Sequence, residues 1–193
     1  MSLPDAAEQI QNLAAPSDIK KEQPISRLAR IIVQASRFEG DEHGFDNGER
    51  AALARLDPDG EFRPHQIAAL SRALLYADLE PDTWKSEIWQ RWAMIAHGMA
   101  LAGHDVNQSL GQQLSKAGVS ESRVTKLLTA RGDAFRQLLP RLLRLLASKG
   151  VEPNWRELGG LILNQDRDEK KAEDIRLKIA GCFFSTDAKK PKH

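Results

Sequence analysis

Helical periodicity runs through almost the whole of this chain, and nothing in it alternates as a strand does. Apolar residues recur three or four positions apart in segment after segment, while no run sustains an alternation of β-branched and polar side chains. A chain patterned this way builds a core by packing the apolar stripes of helices against one another. The expected fold is therefore all-α.

The stripes can be followed along the chain. Leu28, Ile31, Ile32 and Ala35 form one, with Arg27, Arg30 and Arg37 outside it. Asp46 or Asn47 suits the cap of a short helix, "GERAALARL", which the Asp57-Pro58-Asp59-Gly60 turn ends. Pro64 suits the first position of the next helix, whose Ile67, Leu70 and Leu74 point inward. Trp84, Ile88, Trp92, Ile95 and Met99 make a heavy aromatic face that Gly103 brings to an end. Helices are then expected over residues 108–117, 121–131, 133–148, 154–164 and 167–183, with Gly118, Gly132 and Gly150 at C-cap positions between them.

The expected architecture is a compact bundle of eight to nine helices in two packed halves, residues 25–105 and 106–185, the second carrying a basic face. Residues 1–24 are polar, contain Pro4, Pro16 and Pro24, and read as a flexible N-terminal arm; residues 186–193 read as a flexible tail.

Several function classes fall away on composition. No apolar run approaches the ~18 residues that a membrane span needs, and the start, "MSLPDAAEQIQNL", lacks the basic and apolar regions of a secretory signal. The single cysteine, Cys182, excludes an intramolecular disulfide and fits a cytoplasmic location. In "LKIAGCFF" it reads as a buried small hydrophobe and not as a nucleophile.

Charge is nearly balanced overall, with 28 Lys and Arg against 27 Asp and Glu. It is not evenly spread. Residues 122–150, "SRVTKLLTARGDAFRQLLPRLLRLLASKG", hold seven basic residues and one acid, Asp133. Set at about 100° per residue, Phe135, Leu138, Leu139, Leu142, Leu145 and Leu146 fall on one side of the helix at 133–148. Arg136, Arg141 and Arg144 fall on the other, with Pro140 among them. In the preceding helix Val124, Leu127 and Leu128 point inward, and Arg123 and Lys126 lie along another face. Two successive helices can thus present one guanidinium-rich surface. It is either a solvated face or acidic-partner surface, or a surface for phosphates. The planar fork of arginine and the scarcity of local acids favour phosphate.

No complete catalytic constellation is present. His97, His104 and Asp105 in "HGMALAGHD" have the residue types of a metal hydrolase, but the first histidine stands too close to the others and Gly103 ends the helix between them. The loops "DEHGFDNGE" and "DPDGEF" lack calcium-loop spacing, and no phosphate-binding Gly-rich loop, nucleophile elbow or paired-cysteine zinc motif occurs. Trp84, Trp89 and Trp92 stand at helical spacing, which suits core packing better than stacking on bases. No enzyme, cofactor or metal is expected.

Three segments stand in a telling order: "DNGERAALARL" at 46–56, "SLGQQLSKAGVSESRVTKLLTA" at 109–130, and "FRQLLPRLLRLLASKGVEPNWRELGGLIL" at 135–163. Together they resemble the small subunit of the type I-E CRISPR surveillance complex Cascade, the CasB family. The resemblance implies a non-catalytic, all-helical subunit in antiviral defence, present as a pair along the crRNA-bound filament. Its implied partners are the large subunit, the crRNA-binding backbone subunits, crRNA and target DNA. It implies stabilisation of the R-loop, including the displaced non-target strand, through sequence-blind backbone contacts. The matching residues are Arg55, Arg123, Lys126, Arg141 and Arg144; Arg131 and Arg136 join them on the geometry of the basic face. A free-standing repressor-like helical protein and an HD-type metal hydrolase are the alternative readings.

Overall fold

A computed structural model describes residues 23–35 and 45–189. Among them the chain forms nine α-helices and no strand: α1 (Pro24–Gln34), α2 (Asn47–Ala54), α3 (Pro64–Tyr76), α4 (Ser86–Ala102), α5 (Leu110–Lys116), α6 (Glu121–Thr129), α7 (Gly132–Ser148), α8 (Trp155–Asn164) and α9 (Glu169–Asp187). The all-α expectation holds. Most of the expected arm lies outside the described residues, and Pro24 at its end opens α1; α9 runs into the expected tail, whose last four residues also lie outside them.

Local chemistry sets the helix ends. Asp46 caps α2 in a reciprocal box, its carboxylate accepting the Glu49 N–H at 2.7 Å while Glu49 accepts the Asp46 N–H at 3.0 Å. Ser109 and Gln112 do the same for α5. Gly118 and Gly150 take φ of 70° and 63° just past α5 and α7, where a side chain would be strained. Each lets the next residue reach back, Val119 N–H to Leu114 O and Val151 N–H to Leu146 O, both at 3.0 Å. The two valines are buried, which anchors the turns.

Three expectations change. Gly132 does not cap α6 but begins α7. The α6 carbonyls are met instead by the Arg131 side chain, whose Nη1 donates to Leu128 O at 2.8 Å and Ala130 O at 3.0 Å. Trp84 is not in α4: it ends a 3₁₀ turn at Pro81–Thr83 and the extended Lys85 separates it from the helix, yet its ring still stacks on Trp92 at 5.8 Å. Ile67 is exposed, because the inward face of α3 is Gln66, Ala69, Leu70, Ala73 and Leu74.

α4 is the centre of the molecule. Every residue from Trp92 through Ala96 is buried, as befits a helix surrounded by others. It packs against α1, α2, α7 and α8. Gly98 is the seat of Trp155: a Cβ there would stand 2.2 Å from the indole Cη2. The indole N–H in turn donates to Gly103 O at 2.8 Å, meeting a carbonyl at the end of α4.

The other close pair is α5 on α9, where Gly111 brings the backbones together: a Cβ at Gly111 would lie 2.3 Å from Ile179 O. Cys182 borders this contact and is half-buried, less enclosed than its neighbours suggest. Buried polar groups tie α5 to α8. Glu157 accepts the Leu110 N–H at 2.7 Å and pairs with Lys178 at 2.8 Å, while the Asn154 N–H donates to Gln113 Oε1 at 2.6 Å. These contacts tie α5, α8 and α9 to one another.

Candidate nucleic-acid interface

α7 is helical throughout despite Pro140 within it. It buries Phe135, Leu139, Leu143 and Leu146. This inner line is rotated from the expected one, which omitted Leu143 and placed Leu138, Leu142 and Leu145 inside. Those three are only half-buried. The reason is the neighbour: α7 packs mainly on α4 and touches α6 much less, so one edge of its wide apolar arc stays uncovered.

That edge becomes the floor of a groove between α6 and α7, with a cavity volume of about 310 Å³. Leu127, Leu138, Leu142 and Leu145 line it, and Arg123, Lys126 and Arg141 stand around it. All three cations are exposed. None of them forms an ion pair with a described residue.

The remaining candidates are dispersed. Arg144 is exposed on α7 outside the groove, and its Nε donates to the Pro140 carbonyl at 3.1 Å. Arg136 pairs with Asp133 one turn earlier and borders a different cavity, beside Arg91 and Glu87. Arg131 pairs with Glu169 at 3.0 Å and Glu173 at 3.6 Å on α9, in addition to capping α6. The acid partners that the local sequence lacks are thus supplied to Arg131 from across the fold. Arg55 follows α2 and lies in a separate depression with Asp57, Glu61 and Arg63. Of the seven residues, the fold brings three together.

The leucine floor was not identified from sequence. Its one signal is an apolar arc on α7 broader than a single neighbouring helix covers, and a helical wheel does not say which edge is left open.

The histidines are engaged in the fold. His97 Nδ1 donates to Leu53 O at 3.1 Å, and burial, with a smaller contribution from the Arg144 charge, holds its pKa below the ordinary value. His104 Nδ1 lies 3.2 Å from the Trp155 N–H and 3.3 Å from Pro153 O, and burial lowers its pKa as well. The neutral ring can accept from Trp155 and so meets an N–H at the start of α8. Among the described residues no three His, Cys, Asp or Glu side chains come together as a metal would require, and no helix is long and apolar enough to cross a membrane. Trp84 packs against both Trp89 and Trp92: Trp92 is buried, and Trp84 and Trp89 are half-buried.

The model of the family described as CRISPR-associated protein Cse2 matches residues 49–184, a span that contains the whole groove. No curated protein and no solved structure matches the chain.

Proposed function

Because the chain belongs to the Cse2 family of CRISPR-associated proteins, the non-catalytic small subunits of Cascade, we propose that its α6–α7 groove grips nucleic-acid backbone without reading sequence. In the assembled complex it holds the displaced non-target strand and so stabilises the R-loop in antiviral defence. One observation carries this reading: Arg123, Lys126 and Arg141 converge on one groove with no acid among the described residues to neutralise them. Like charges held together are mutually repulsive, and an anionic backbone relieves that repulsion. Arginine adds bidentate hydrogen bonds to phosphate oxygens.

The groove presents leucines between its cations, not the Asn and Gln that read base edges, so contact is to the backbone. Sequence is read elsewhere, by pairing between guide and target. Arg144, exposed on α7, adds a cation outside the groove, and Arg55 is a separate candidate contact in its own depression, while Arg131 and Arg136 serve the groove through the fold that they help to hold. Protein partners are the other Cascade subunits, the large subunit and the crRNA-bound backbone among them, together with a second copy of this chain. We place the protein in the cytoplasm, in keeping with its single unpaired cysteine.

Titrating the protein with fluorescent oligothymidine at several salt concentrations tests the reading. Affinity should fall with salt at a log–log slope of about −0.7 per phosphate neutralised. The Arg123→Ala/Arg141→Ala double variant should bind every sequence more weakly and flatten the slope by roughly one unit or more. Arg136→Ala, which removes an already paired arginine, should change the slope much less. A folded double variant with unchanged affinity and slope refutes the assignment.

A further inference from the structure

The α6–α7 groove sets charge and apolar surface side by side. Arg123 and Lys126 stand on α6 and Arg141 on α7, so its cations come from both helices. Between the two helices lie Leu127 and, on α7, Leu138, Leu142 and Leu145, spaced i, i+4 and i+7. At about 1.5 Å per residue these three leucines extend for about 10 Å along α7. Among the described residues no Ser, Thr, Asn, Gln, Asp or Glu lines the groove.

Two other helices expose apolar side chains, but cations adjacent to them are paired. On α3, Ile67, Leu75 and Tyr76 are exposed, and Arg72, the one Arg or Lys of that helix, pairs with Glu49. On α9, Leu177 and Phe184 are exposed, and Lys178 beside Leu177 pairs with Glu157. In the groove, uncovered leucines coincide with cations that no described acid pairs.

A nucleic-acid strand has the same two parts, an anionic backbone and bases with apolar faces. A strand whose phosphates meet cations on both helices lies along the groove. The leucine floor is then either left in contact with water or covered by the bases. At ~3.4 Å per stacked nucleotide, a floor of this length takes about three of them. Each base face laid on leucine removes apolar surface from water on both partners. About 55 Å² removed in all is worth a factor of about ten in affinity. Leucine offers no hydrogen bond to a base edge, so such contact stays blind to sequence.

We infer that the floor is a platform for bases: Leu138, Leu142 and Leu145 cover the faces of successive unpaired bases while Arg123, Lys126 and Arg141 hold the phosphates. The strand lies in the groove with its bases turned inward. A duplex keeps its bases stacked inside and cannot use the floor. This inference rests on reading the rim as a phosphate site.

Fluorescence titration of the full chain tests it by comparing oligothymidine with an abasic oligomer of equal length, which keeps every phosphate and lacks the bases. The abasic oligomer should bind about tenfold more weakly at the same salt slope. Leu142→Asn should weaken oligothymidine binding by about three- to tenfold and leave the abasic oligomer unaffected, whereas Leu142→Met, still apolar, should bind both as the parent does. The comparison on the unaltered chain needs no variant and decides the question even where Leu142→Asn fails to fold. Equal affinity for the two oligomers, both weakened by Arg123→Ala/Arg141→Ala, overturns the inference, leaves the phosphate reading intact and assigns the floor to a protein segment. A preference for oligothymidine that survives undiminished in folded Leu138→Asn and Leu142→Asn also overturns it, because the bases then lie elsewhere. Binding of neither oligomer refutes the phosphate reading and this inference with it.

Discussion

Replacing Gly111 by alanine should destabilise the fold, although alanine is the better helix former. On an open helix the exchange gains up to about 1 kcal/mol in propensity. Here the new methyl meets Ile179 O at 2.3 Å, Phe183 N at 2.6 Å and Cys182 Cβ at 2.8 Å, each well inside the 3.4–4 Å of ordinary contact. Two of these are backbone atoms of α9 and cannot rotate away. The helices must separate by about 1 Å, which loosens Leu114, Ile179 and Phe183, all of them buried. Overpacking of this kind costs about 1–3 kcal/mol, and lost packing along a second helix adds to it. A net loss of about 2–3 kcal/mol is expected. It should lower Tm by roughly 4–12 °C in a domain of this size.

Urea unfolding followed by circular dichroism reads the change as a lower midpoint at unchanged slope. Gly181→Ala on α9 is the control: Gly181 is exposed, and nothing lies within 4 Å of a Cβ placed there. That variant should gain about 0.5–1 kcal/mol. Gly111→Ala matching or exceeding the parent in stability would refute the close-approach argument.

Two further outcomes follow from buried polar groups. His97 and His104 both have lowered pKa values in the fold, so as pH falls the unfolded chain takes up protons first. Their contribution to stability is present above the unfolded-histidine pKa of about 6.5 and is lost as pH falls below it. Urea midpoints should decline from pH 7 toward pH 5.5, and a flat profile there would contradict the neutral His104 cap on Trp155. Glu157→Ala leaves the Leu110 N–H without its acceptor and should cost about 1–3 kcal/mol. Glu157→Gln keeps an acceptor and should cost less, so equal losses in the two unfolding curves would show that the hydrogen bond is not what matters.

What could be read along the chain was whatever depends on near neighbours. The capping box at Asp46, Pro64 at a helix start, the turns at Gly118 and Gly150 and the 3.6-residue stripes are properties of short segments. So the all-α class and most helix positions followed from them, and the ordered motifs carried the family. Which apolar edge is covered depends on partners far away in sequence. Leu143 is buried and Leu142 half-buried because α4 lies over one side of α7 and α6 only partly covers the other. Arg131 and Arg141 stand ten residues apart in one basic run and look alike in sequence. Glu169 and Glu173, brought over by α9, neutralise the first, and no described acid reaches the second. The number of arginines was therefore a property of the sequence. Which of them remain free to meet phosphate was decided only by tertiary packing, because ion pairing depends on distance through space and not on separation along the chain.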